Sequence, residues 1–307
     1  MRRSKNIANA SAASAASAPL ASSPLARSYH WNDLGVRVLS ALVLIPLAAA
    51  AVVWGGWLFL LFVAVGAALL SMEWGIISAP TASVRVGGAV MLAVLAGLFA
   101  GYLDNFPAAL LLLGFGALAS ALYARMLKVS PLDTAYGAFY VGWPCVVLMW
   151  LRKSPDGEGW TLLLFAIAWA SDICAYLIGS WLNGPKFWPR FSPNKTWSGF
   201  VGGVIAGIAA AVVFSLYAPA VAQALPFLRT LDVGLSPRIA VVVGLIAALA
   251  TMAGDLWESM LKRRYGVKDA GNLIPGHGGL MDRVDGMMFA VVALAACKLV
   301  IGHWGLA

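Results

Sequence analysis

Nine apolar runs, each close to the length of a bilayer span, dominate this chain: residues 35–54, 57–73, 84–103, 107–124, 135–151, 160–182, 199–222, 238–260 and 286–304. An α-helix needs about 20 consecutive apolar residues to cross the hydrocarbon, and in lipid every backbone polar group has to be satisfied inside the segment. Hydrophobic residues make up 61% of the chain and charged residues 11%, against roughly 45–50% and 25% in soluble domains. So many runs without polar faces have no place in a water-soluble fold. The expected fold is all-α, a polytopic integral membrane protein with about nine transmembrane helices. Breakers separate the runs: Gly55-Gly56, Pro80, Asp104 to Pro107, Pro131, Pro155 to Gly159, Gly184-Pro185, Pro226 and Pro237. The first break is tight, so a re-entrant hairpin is an alternative to the first two spans.

Residues 1–30 differ from the rest. Their Ala/Ser repeats carry Arg2, Arg3, Lys5 and Arg27 and no acid, a composition that cannot bury a core. A disordered basic tail is expected; an organelle transit peptide shares the same bias. Orientation follows from the lysines and arginines. With the N-terminus in the cytoplasm, 16 of the 21 fall on the cytoplasmic side, and Arg152, Lys153, Arg229, Arg238 and Lys298 on the other. The basic residues form no stripe beside exposed aromatics, so nucleic acid is not an expected partner. Cys145, Cys174 and Cys297 stand alone in apolar segments and read as small buried hydrophobes.

Polar chemistry is concentrated between Gly254 and Gly286. Five of the 13 acidic residues lie there, Asp255, Glu258, Asp269, Asp282 and Asp285, interleaved with Lys262, Arg263, Arg264, Lys268 and Arg283. Asp255 and Glu258 are three apart and Ser259 four after Asp255, a spacing that shares one helix face. Asp282 and Asp285 repeat the three-residue spacing. Two acidic pairs flanking a basic, glycine-rich loop suit a hard cation, since Mg²⁺ takes carboxylate, water and phosphate oxygens. Between them, Pro275-Gly276-His277-Gly278-Gly279 lets backbone N–H groups approach an anion. Lys262, Arg263, Lys268 and Arg283 can neutralise phosphate. The alternative for these cations is snorkelling at the inner membrane face, which suits Arg264 best. For His277 the alternative is a hydrogen bond to loop backbone.

Two earlier features join this constellation. Asp172 lies in mid-span within Trp169-Ala-Ser-Asp-Ile-Cys-Ala-Tyr176, where a carboxylate is costly unless paired or wet; Ser171 and Tyr176 are within reach to support it or to pack. Lys195 and Thr196 precede the seventh segment, so a cation, a hydroxyl and a helix N-terminus meet in an arrangement that suits phosphate. The alternative for Thr196 or Ser198 is an N-cap. A transporter with Asp172 as its coupling residue is a rival reading, but the charges crowd toward one face. A scaffold role is another. A CDP-alcohol phosphotransferase would carry an Asp-Gly-x-x-Ala-Arg run, and none is present.

From Ser259 to Asp285 the chain resembles the signature of the phosphatidate cytidylyltransferases (CDP-diacylglycerol synthases): Ser259, Lys262-Arg263, Lys268-Asp269, Gly271, His277-Gly278-Gly279, Asp282-Arg283 and Asp285. Asp172, Tyr176, Ser192-Pro193 and Lys195-Thr196 resemble upstream motifs of that family. Two positions depart from it: Ser198 where the family often has Glu, and Gly286 where Ser commonly follows the last Asp. The resemblance implies that CTP and phosphatidate react with Mg²⁺ to give CDP-diacylglycerol and pyrophosphate. It implies a metal site of Asp172, Asp255, Asp282 and Asp285 for one ion or two, with Lys195, Thr196, Ser259, Lys262, Arg263, Lys268, His277, Gly278, Gly279 and Arg283 around the phosphates. Glu258, Asp269 and Tyr176 would support them. Residues 31–159 would then be N-terminal transmembrane helices and 160–307 the catalytic region. The expected location is a bacterial inner (plasma) membrane with the active site facing the cytoplasm, the partners being the bilayer, both substrates and a candidate second copy of the chain.

Overall fold

The structure, a computed structural model, describes residues 31–189, 191–271 and 278–305. Among them nine long helices run in chain order: α1 (Trp31–Trp54), α2 (Gly56–Ser78), α3 (Ser83–Tyr102), α4 (Phe106–Met126), α5 (Pro131–Lys153), α6 (Gly157–Leu182), α7 (Trp197–Ala224), α8 (Pro237–Arg264) and α9 (Met281–Trp304). Eight of them, α2 to α9, are long and apolar enough to cross a membrane, and α1 adds the shorter apolar stretch Leu42–Trp54. The prolines punctuate as expected. Pro131 and Pro237 open α5 and α8, and Pro107 lies in the first turn of α4, where a missing N–H costs nothing. Gly55 (φ 62°, ψ −149°) separates α1 from α2.

Consecutive helices pack against each other, and α5 also touches α2, α3, α6 and α9. The interior is closed by Phe59, Trp74, Leu98, Leu113 and Met149 on the α2–α5 side and by Leu163, Leu164, Ile167 and Leu294 on the α6–α9 side. Outward faces are equally apolar, with Leu92, Phe115, Leu118, Ile205 and Leu216 exposed. Solvent-facing polar residues are unnecessary where lipid is the solvent.

The two ends of the bundle differ. At one end Arg152 donates through Nε to the Val52 carbonyl (2.6 Å), Lys153 pairs with Asp104 (2.7 Å) and Lys298 bonds the Pro155 carbonyl. Arg152 thereby meets the carbonyl end of α1, and Lys153 also bonds the Tyr102 carbonyl at the end of α3, where the helix dipole favours positive charge. At the other end lie the α6–α7 and α8–α9 connections. The first contains an antiparallel hairpin absent from the sequence expectation, β1 (Lys186–Trp188) and β2 (Ser192–Thr196). Phe187 stacks on Phe200 (5.0 Å between centroids) and Trp188 meets Phe191 edge-on (5.4 Å), so the short ladder is held by aromatic packing as well as by hydrogen bonds.

Candidate active site

The site forms where β2, α6, α8 and α9 meet at this second end. α8 runs to Arg264, past the expected end at 260, and α9 starts at Met281 instead of 286. Both acidic pairs therefore stand on regular helix. The two helices approach closely because each carries a glycine at the crossing. A Cβ on Gly254 would collide with the Asp285 carbonyl, and one on Gly286 would lie 2.7 Å from Thr251 Cγ2. The neighbouring side chains of those glycines, Asp255 and Asp285, are thus drawn together.

Lys195 reaches down from β2 and pairs with Asp255 (Nζ to Oδ1, 2.5 Å). Asp172 on α6 feels both Asp255 and Lys195, and Asp285 feels Asp255, Glu258 and Asp172. Asp285 is buried, with its Oδ1 accepting the Gly286 N–H at 2.8 Å. These carboxylates and one lysine form the first part of the site. The second is built around Lys262, which pairs with Glu258 Oε2 (2.6 Å) and Asp282 Oδ1 (2.5 Å). The other Asp282 oxygen accepts N–H bonds from Ala270 (3.1 Å) and Gly279 (3.0 Å). Asp282, expected among metal ligands, therefore has both oxygens occupied; it holds Lys262 and the two ends of the α8–α9 loop.

The remaining expected residues divide by position. Thr196 is buried and caps α7, its Oγ1 accepting the Gly199 N–H at 3.1 Å, with the Ser198 hydroxyl 3.1 Å away. Arg263 is exposed and donates to the Phe191 carbonyl (3.4 Å), tying α8 to the hairpin. Lys268, Asp269 and Arg283 are exposed, and Ser259 is half-buried. Arg264 pairs with Asp133 of α5 at 3.0 Å, away from the carboxylate cluster. Gly278 has φ 81°, a backbone state in which its Cα carries no penalty and other residues would be strained. Tyr176 is 67% exposed, as are its neighbours Ile173 and Leu177 on α6 at 55% each. His277 and the tail of residues 1–30 lie outside the described residues.

One participant was missed. Glu73 of α2, wholly buried, accepts the N–H groups of Leu280 and Met281, both at 2.7 Å. The signal was present as a lone carboxylate in an apolar segment, the same signal that singled out Asp172.

The chemistry of the donor set suits a hard cation. Asp172, Asp255, Glu258, Asp282 and Asp285 gather around two paired lysines, Lys195 on Asp255 and Lys262 on Glu258 and Asp282, and the buried Glu258 Oε1 has no hydrogen-bond partner among the described residues. Excess buried negative charge is costly until a cation joins it. No three His, Cys, Asp or Glu side chains among the described residues close on one point as a finished ligand cage. Mg²⁺ does not require one, because it commonly binds through one or two carboxylates, water and substrate phosphates.

Comparison with known proteins bears on the same region. A model of the cytidylyltransferase family matches residues 35–300. The phosphatidate cytidylyltransferase of Brucella suis biovar 1 (strain 1330) is 38% identical over 269 residues, covering 86% of this chain and 92% of that protein. That of Brucella melitensis biotype 1 (strain 16M) aligns to the same extent. The Mycobacterium tuberculosis (strain H37Rv) protein of the same name is 36% identical over 160 residues, 52% of this chain and 44% of its own length. A family match over residues 35–300, together with a Brucella relative aligned over 92% of its length, shows that the chain belongs to the cytidylyltransferase family.

Proposed function

We propose that the chain transfers the cytidylyl group of CTP to phosphatidate, releasing pyrophosphate and giving CDP-diacylglycerol, in a reaction that needs Mg²⁺. The observation that carries this reading is the meeting of Lys195, Asp172, Asp255 and Asp285, from four separate elements, at one end of a transmembrane bundle. A phosphatidate oxygen attacks the α-phosphorus of CTP, and the bond to the bridging oxygen of the β-phosphate breaks as pyrophosphate leaves. The nucleophile is already an anion, so no strong general base is required. The barrier lies in bringing anions together and in the charge that develops on the leaving group, and positioned cations address both.

Lys195, paired with Asp255, would hold a phosphate at the carboxylate cluster. Lys268, Arg263 and Arg283, on the exposed side, are the further cations for the triphosphate and the lipid phosphate. Lys262 fixes Glu258 and Asp282, and so sets the geometry of α8 against α9. Asp172, Asp255 and Asp285 would hold Mg²⁺, one ion or two, with Asp282 at the border of that set. When bound, the metal supplies positive charge to the phosphates. The site faces the cytoplasm of a bacterial inner membrane in this reading, so that CTP arrives from water while phosphatidate comes sideways from the bilayer.

The test is purified protein in detergent with radiolabelled CTP and phosphatidate. Labelled CDP-diacylglycerol and pyrophosphate should form with Mg²⁺ and stop with excess EDTA. No product at any Mg²⁺ concentration would remove the reading; undiminished product in EDTA would remove the metal from it.

A further inference from the structure

We infer that Glu73 is a positioning residue for the cytidylyl transfer, pinning the start of α9 and the described ends of the α8–α9 loop to the N-terminal half of the bundle. The inference rests on the function proposed above. Glu73 is the single charged residue of α2 and is 0% exposed. A carboxylate so placed is costly unless it is satisfied. Among the described residues no lysine or arginine pairs with it. Its partners are two backbone donors, one for each oxygen: the N–H of Leu280 and the N–H of Met281. These belong to the cap and first residue of α9, where the helix leaves donors unmet and its dipole favours an anion. A side chain some two hundred positions earlier thus takes the place of a local N-cap, and Leu280 provides none.

What Glu73 holds is the machinery. Asp282 lies one residue past Met281, and the Glu73 carboxylate is close enough to feel its charge. Asp282 in turn binds Ala270 and Gly279. Glycine packs tightly on both sides of this seam. A Cβ on Gly279 would lie 3.0 Å from Glu73 Oε1 and 3.0 Å from Asp282 Oδ2, and one on Gly271 would lie 3.2 Å from Glu73 Oε1. Two like-charged carboxylates stand side by side because each receives its own pair of N–H bonds. The placement of Glu73 at the residues that carry Asp282 and flank the phosphate-approaching glycines gives it control over how the triphosphate is seated.

The experiment is steady-state kinetics on the purified full chain, varying CTP and phosphatidate separately, for wild type and Glu73→Gln. The variant keeps the shape and one acceptor but sets an NH₂ against an N–H. A supporting group of this kind is worth about 10- to 100-fold. The expected result is a rise of that size in KM for CTP, with KM for phosphatidate within about twofold. A purely structural role lowers the active fraction and leaves both KM values unmoved, and that outcome overturns the inference. If Glu73→Gln does not fold, Gly279→Ala disturbs the same seam from the loop side and should shift KM for CTP in the same direction; an unmoved KM again overturns it. A wild-type chain that makes no product removes the underlying function and the inference with it, whereas an active wild type with unchanged variant KM values removes the inference alone.

Discussion

Lys262 is the residue on which the two halves of the site turn. Its side chain is only 15% exposed and answers Glu258, at 1%, and Asp282, at 13%. Removing one partner of a buried ionic group leaves uncompensated charge, at a cost of about 3–5 kcal/mol. Lys262→Met should therefore lower the unfolding midpoint in detergent sharply as well as abolish turnover, whereas a surface cation bound only to substrate would leave stability unchanged. Asp255→Asn separates the other part: Lys195 keeps a neighbour of the same shape, so the fold should survive while product formation falls by about 10²-fold or more, read by the CTP assay. Near-normal turnover of Asp255→Asn at saturating Mg²⁺ would remove it from the metal set. At this scale the sequence pointed to residues that the structure brings together, and less to the contacts each of them makes. The spacing of Asp255, Glu258, Asp282 and Asp285 pointed to a shared site, and the N-cap offered as one alternative for Thr196 is the one found, on the Gly199 N–H, but Asp282 as loop clamp depends on partners at 270 and 279. Nothing in local spacing distinguishes a carboxylate that binds N–H groups from one that awaits a cation.

At the level of elements, the close crossing of α8 and α9 explains a departure from the family pattern. Gly286 occupies a place where a serine Cβ would press on Thr251 Cγ2 at 2.7 Å. Gly286→Ser should destabilise the chain by about 1–3 kcal/mol, the usual cost of overpacking, and pairing it with Thr251→Ala should restore much of the loss in the same unfolding assay. No recovery in the double variant would mean that the Thr251 carbonyl, 3.0 Å from the same Cβ, is the true obstacle. Helix ends were where reading by hydropathy fell short. α9 begins five residues before its apolar run because Glu73 supplies the cap and because Asp282, in the first turn, agrees with the dipole. α8 continues through Lys262, Arg263 and Arg264 because cations in a last turn agree with it as well. The β1–β2 hairpin had no alternating apolar pattern to announce it. Its aromatic residues, Phe187, Trp188 and Phe191, find partners on α7 and on each other only once α6 and α7 are side by side.

For the whole molecule, orientation is the property on which substrate access depends. The helices place Asp104, Lys153 and Pro155 at one end and the α4–α5 connection, the hairpin and the carboxylate site at the other. In a chain with Cys145, Cys174 and Cys297 replaced, a single Arg125→Cys should be blocked by an impermeant maleimide only from the cytoplasmic side, and Asp104→Cys only from the opposite side. The reverse pattern would put the site on the wrong face for CTP. The amino-acid sequence by itself determined the class of the fold and the number and rough placement of the spans, because a bilayer imposes its demands segment by segment: apolar length, satisfied backbone and flanking charge are all local properties. Only the tertiary structure decided that Lys195 lies on Asp255, that Lys262 bridges Glu258 and Asp282, and that Glu73 of the second helix holds the start of the ninth. Those contacts join residues between 4 and 208 positions apart, and their existence depends on which helices pack together and how closely glycine lets them approach.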